Sequence, residues 1–160
     1  MSNKYTSAVE YFRTILTAQD LIDASQFPEG MLTIIAYMSE VYRLKACYEI
    51  IEYRPQKYIN IRKLCSVGMG SHVIKDYCSK SVYAYSVPTY FTIHSLHRIG
   101  FEHELDDLGF EEWFYSSILV EDKEHFCYRR VGKNRLFKKG QGEVYLADFI
   151  EWIIYSKDTL

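Results

Sequence analysis

Between Ile34 and Ile51 the apolar side chains fall at helical spacing: Ile34, Tyr37, Met38, Val41, Leu44, Tyr48 and Ile51 line one face, and Ser39, Glu40 and Arg43 take the other. A stripe of this kind marks an amphipathic helix whose apolar side must leave water against a partner. A partner lies upstream, where Tyr5, Val9, Phe12 and Leu16 fall at i, i+4, i+7 and i+11, with Glu10, Arg13 and Asp20 away from the centre of the stripe. Phe27-Pro28-Glu29-Gly30 reads as the end of the first helix and Pro55 as the end of the second, because proline cannot continue a helix. Two antiparallel helices joined by a short turn are the simplest way to bury both stripes.

The rest of the chain is more mixed. Lys57 to Leu64 alternates Ile59 and Ile61 with Asn60 and Arg62, yet fits a helical turn and is read as helix. Ser66 to Ser71, with Gly68 and Gly70, is a bend; Ser81 to Tyr85 suits a short strand before Pro88. Thr89 to Gly100 accommodates helix or strand, with Gly100 a plausible helix C-terminal residue. The acids Glu102, Glu104, Asp106, Asp107, Glu111 and Glu112 precede Trp113, Phe114, Ile118 and Leu119, a helix with an acid-rich start interrupted by Gly109. His125 to Val131, Gly132-Lys133-Asn134 and Arg135 to Lys139 form a β-hairpin with a glycine turn, and Leu146, Phe149, Ile150 and Ile153 make a final helical stripe. No repeat and no polar linker divides the chain. The expectation is a single globular domain over residues 1–160, α+β and mostly helical, with a short hairpin in the C-terminal half.

A formal net charge of −2 argues against a surface given over wholly to nucleic acid or an anionic membrane. Cys47, Cys65, Cys78 and Cys127 show no C-x-x-C pairing, so a reduced, cytoplasmic protein without disulfides or a zinc ribbon is expected. Charges at Glu10, Arg13 and Asp20 break any leader-like apolar run, and no stretch approaches the roughly 20 apolar residues that span a bilayer. With 15 Tyr and 9 Phe, the aromatic load exceeds what the two best helices absorb. Tyr53, Tyr58, Tyr77, Tyr83, Tyr85, Tyr90, Tyr115 and Tyr155 are therefore shared between a semi-buried shell and an exposed surface, where tyrosine carries interface energy.

The strongest single feature is a run of cations, Arg129, Arg130, Lys133, Arg135, Lys138 and Lys139, with no acid among them. It is similar to the wing of winged-helix DNA-binding proteins, and equally to an edge strand kept from aggregating by charge. The acidic block beside it favours a protein partner, or self-association as a homodimer, over free nucleic acid. Other chemistry is thinly supported. His94, His97 and His103 are the only grouping that suggests a metal, and packing or capping is the better reading, so no metal ligand and no cofactor is assigned. Cys65 with His72, or Cys78 with a distant histidine, carries no mark of an activated thiol. Gly68-Met69-Gly70 lacks the longer phosphate-binding patterns, and adjacent Asp106 and Asp107 would diverge on a helix.

The expectation is a non-enzymatic, protein-binding module whose partner face uses Arg129, Arg130, Arg135, Trp113 and Tyr115, supported by Lys133, Lys138 and Lys139. The alternative is a winged-helix-like nucleic-acid-binding regulator with the hairpin 125–139 as its wing and a reading helix within Thr89 to Gly100. In length, tyrosine-rich and glycine-poor composition and lack of enzyme motifs, the chain resembles the phage-encoded early inhibitors of the host protease Lon. That resemblance rests on overall character and not on a local motif. It implies binding to a hexameric ATP-dependent protease in the host cytoplasm, and allosteric inhibition without a reactive loop and without service as a substrate.

Overall fold

The structure is a computed structural model that describes residues 2–79 and 89–155, with side chains from residue 6 onward. The strand expected at Ser81 to Tyr85, with Tyr83 and Tyr85, lies outside the described residues, as does the side chain of Tyr5. The fold is α+β and mostly helical, with two small antiparallel sheets and a hairpin in the C-terminal half. Its contacts gather into two compact units, Met1–Ser71 and His72–Leu160, and the division falls just past the Gly68–Gly70 bend.

In the first unit, α1 (Ser2–Thr17) and α2 (Ile35–Ala46) pack together as the periodicity predicts, with Phe12, Leu16, Tyr37 and Leu44 in one core. Both helices stop earlier than Pro28 and Pro55 suggest. After α1, Leu21–Asp23 forms β1, which pairs antiparallel to β3 (Lys57–Asn60); β3 in turn pairs with β2 (Ile50–Arg54), giving the order β1-β3-β2. What ends α2 is Tyr48, held at φ 59°: its amide donates to Lys45 O and that of Glu49 to Leu44 O, the paired bonds of a Schellman cap. That site is usually glycine, because a left-handed residue with a Cβ costs about 1–2 kcal/mol. Ile51 therefore belongs to a strand, and Lys57 to Leu64 divides between β3 and α3 (Ile61–Ser66), whose first turn is capped by the Asn60 side chain on the Arg62 amide.

The face α2 buries is also rotated from the expected one. Glu40, expected in water, is 2% exposed and takes Arg13 Nε at 2.8 Å and Arg43 Nη2 at 2.7 Å, while Ile34, Ile35, Met38 and Tyr42 are exposed. Burial pushes the Glu40 carboxyl up, but the hydrogen bonds and charges of Arg43 and Arg13 outweigh it and hold the group below the ordinary glutamate range.

The second unit takes all of α4 (Ser71–Asp76) but its first residue, followed by β4 (Tyr90–Phe91) and α5 (Ile93–Arg98). Gly100, at φ 93°, ends α5 as expected, its amide donating to His97 O and that of Phe101 to Leu96 O. A 3-10 turn (Glu104–Leu108) and α6 (Glu112–Val120) follow, then β5 (Phe126–Val131), β6 (Asn134–Lys139) and α7 (Leu146–Tyr155). The sheet order is β4-β6-β5, so β5 is an edge. One face carries Phe91, Phe126 and Phe137, with Phe91 and Phe137 stacked at 5.5 Å; the other, built on Tyr90 and Leu136, is covered by Leu146, Phe149 and Trp152 of α7. Ile150, expected in the buried stripe of α7, is 56% exposed, and Trp152 takes the inward position.

Candidate functional site: the cationic hairpin

The hairpin forms where expected because alternating β-formers flank a two-residue turn, Gly132-Lys133, with Gly132 at φ 63° in the first central position. Successive side chains of a strand point to opposite faces. Arg130 pairs across the hairpin with Arg135, and Arg129 with Leu136, so adjacent arginines serve different faces.

The face toward α6 makes Arg135 different from its neighbours. It is 8% exposed, and its Nη1 donates to the hydroxyls of Ser116 and Ser117, each at 2.8 Å, and to Trp113 O at 3.3 Å. Its guanidinium lies 3.7 Å from the centroid of the Trp113 ring, and that of Arg130 lies 5.1 Å from it. Arg135 thus pins the hairpin to α6, and Trp113, half-buried, is the plate on which two guanidiniums rest. Tyr115 is interior as well. At 3% exposure its hydroxyl donates to Leu105 O at 3.1 Å, and burial pushes its ionisation up. Neither Arg135 nor Tyr115 offers surface to a partner, since both are consumed in joining α6 to its surroundings.

The cations left at the surface are Arg129, Arg130 and Lys133, with Lys138 and Lys139 half-buried. Arg130 is steadied by a 3.0 Å bond from Nε to Gly132 O, and Lys138 lies 6.0 Å from the Tyr90 ring.

Two of the histidines meet the acidic block and the third meets Asp76. His94 Nδ1 is 3.7 Å from Glu112, His97 Nε2 is 3.4 Å from Asp106, and His103 Nε2 is 3.0 Å from Asp76. His103 Nδ1 accepts the Leu105 amide at 3.0 Å, capping the 3-10 turn and leaving the ring proton on Nε2 for Asp76. The three imidazoles do not converge, and no group of three or more His, Cys, Asp or Glu among the described residues is placed to hold a metal ion. The Cys78 thiol is buried at 3.9 Å from Ile118 O, and burial pushes the Cys127 thiol up, away from the reactive thiolate.

A groove of about 350 Å³ runs beside β5, lined by Val120, Lys123, Phe126, Cys127, Tyr128, Gln141 and Gly142. The only trace of it in the sequence is Gly140-Gln141-Gly142, a glycine pair where the chain must leave the sheet without filling the space alongside.

Comparison with protein-family models, with curated proteins and with solved structures finds no match to this chain.

Proposed function

We propose that the chain is a non-enzymatic protein-binding module, of the kind phages use in host takeover, that binds and inhibits a host ATP-dependent protease of the Lon type in the cytoplasm without serving as its substrate. The observation that carries this reading is the hairpin. Arg129 and Arg130 stand exposed on an edge strand and Lys133 on the turn that follows it, in a hairpin fixed to α6 by Arg135 and Trp113, a held cationic ridge rather than a charged tail. Binding that favours one state of an ATP-driven ring resists the cycling that translocates substrate, which is inhibition by coupling and needs no reactive loop. No helix among the described residues is long and apolar enough to cross a membrane.

The nucleic-acid reading is weaker on geometry. Within Thr89 to Gly100 the helix is only the six residues of α5, and its His94 and His97 face Glu112 and Asp106, carboxylates that would repel a phosphate backbone. The α6 helix next to the hairpin is buried from Phe114 to Val120.

The test is degradation of fluorescein-labelled casein by a purified Lon-type protease with ATP. The expected result is suppression by the added chain, with the chain itself intact on a gel. Unchanged degradation at a large excess of the chain would remove the reading.

A further inference from the structure

We propose that the outer edge of β5 and its groove bind an extended segment of a partner protein as an added strand, with acidic residues at one end of that segment and an apolar side chain at the other. This rests on the reading of the hairpin as a protein-binding surface and names the mode and chemistry of what it binds.

The groove is lined by three consecutive strand residues, Phe126, Cys127 and Tyr128. Their side chains alternate between the two faces of the sheet, so a groove that touches all three runs along the strand edge and not over either face. The edge is open among the described residues, since no strand pairs with the outer side of β5. The two-residue turn sets which backbone groups are outward. With Val131 and Asn134 closing the turn as a hydrogen-bonded pair, Tyr128 opposite Phe137 and Arg130 opposite Arg135 are non-hydrogen-bonded pairs whose β5 members turn their amides and carbonyls away from β6. The amide of Phe126 is already spent on Asp122 O at 3.1 Å, so strand addition begins at Tyr128.

Along that edge the chemistry changes. The start of β5 offers the groove walls of Val120, Phe126 and Tyr128; the far end offers Arg129, Arg130 and Lys133, with no acid anywhere from Phe126 to Lys139. At about 3.4 Å per residue the two ends are one short peptide apart. A second copy of this chain is a poor occupant: antiparallel pairing of β5 with itself centred on Arg129 or Arg130 sets arginine against arginine, where like charges repel, and centring on Tyr128 leaves both arginines with no acid to face. An acidic strand from another protein satisfies both the edge and its charge.

The experiment uses the full chain and a labelled nine-residue peptide, EDETVTVLV, read by fluorescence anisotropy, together with two forms N-methylated on alternate residues. Strand addition predicts that the parent binds, that one N-methylated form loses at least about tenfold in affinity, and that the other retains it, since only one alternate set faces β5. The double substitution Arg129→Glu, Lys133→Glu, with unchanged thermal melting, weakens the parent about tenfold, less so in high salt. Equal binding of both N-methylated forms would reduce the surface to a cationic patch and overturn the proposal. So would parent peptide that fails to bind, displacement of the parent by a single-stranded oligonucleotide at the same surface, or sedimentation as a dimer dispersed by the same double substitution. Loss of protease inhibition in the double variant without any N-methylation effect leaves the protein-binding reading standing and removes strand addition alone.

Discussion

Replacing Arg135 by Met keeps the aliphatic stem and removes the guanidinium that holds β6 to α6. The side chain is 8% exposed, donates to two serine hydroxyls and the Trp113 carbonyl, and stacks 3.7 Å from the indole centroid. A desolvated cation–π contact contributes about 2 kcal/mol, and hydrogen bonds from a charged donor about 1.5–3 kcal/mol. Desolvation of the guanidinium offsets part of this. The hydroxyls also survive the change, because Ser116 and Ser117 donate to Trp113 O at 3.1 and 2.7 Å. The net loss for Arg135→Met is therefore about 2–4 kcal/mol, against less than about 0.5 kcal/mol for Arg129→Met on the exposed side. Both tryptophans, Trp113 and Trp152, lie in the second unit, so urea unfolding followed by tryptophan fluorescence reports on that unit. With an m-value of about 2 kcal/mol/M, the Arg135→Met midpoint falls by about 1–2 M urea. Equal midpoints for the two variants would refute the assignment of Arg135 as a pin and return it to the surface cations.

In the first unit, Glu40→Gln lowers stability at pH 7 by about 1–3 kcal/mol, less than a fully buried pair would lose because Arg13 and Arg43 are half in water. Because the folded carboxyl is held below its unfolded value, its contribution is present above about pH 4.3 and fades as pH falls through the folded value, so wild type and Glu40→Gln converge in denaturation series taken below pH 4. At the alkaline end, burial pushes Tyr37 up to about 12 and Tyr58 higher still. These raised values stabilise the fold fully below about pH 10 and the effect is lost as pH climbs through the folded values; ultraviolet titration should show tyrosines ionising together with loss of helix above pH 11, and Tyr37→Phe should delay that loss. Tyr115→Phe removes the bond to Leu105 O and costs about 1 kcal/mol by the same urea assay, with no effect on partner binding.

The fold class and the hairpin were legible because their signals are local: helical spacing in α1 and α2, alternation and a glycine turn in β5 and β6. The end of α2 was not, since Tyr48 occupies a left-handed cap usually marked by glycine, and without that mark the apolar run continues smoothly into Ile50 and Ile51. Glu40 is similar. Its carboxylate is buried between Arg43 of its own helix and Arg13 of α1, and the second of these pairings spans separate helices. Among the hairpin cations, nothing in composition separates Arg135 from Arg129; the separation comes from register, which turns one toward Ser116 and Ser117 and the other to the opposite face. Much of the tyrosine surplus was resolved inward, with Tyr58, Tyr77, Tyr90 and Tyr115 all buried, whereas Tyr128 and Tyr155 remain exposed.

The central claim, that the exposed cations of β5 and its turn contact a protease, is tested most directly by comparing inhibition of ATP-dependent casein degradation by the wild-type chain and by Arg129→Glu, Lys133→Glu. Two charge reversals at a cationic rim predict at least about a tenfold rise in the concentration needed for half-inhibition, with the same melting temperature. Inhibition by the double variant equal to that of wild type would place the contact elsewhere on the molecule and contradict the account.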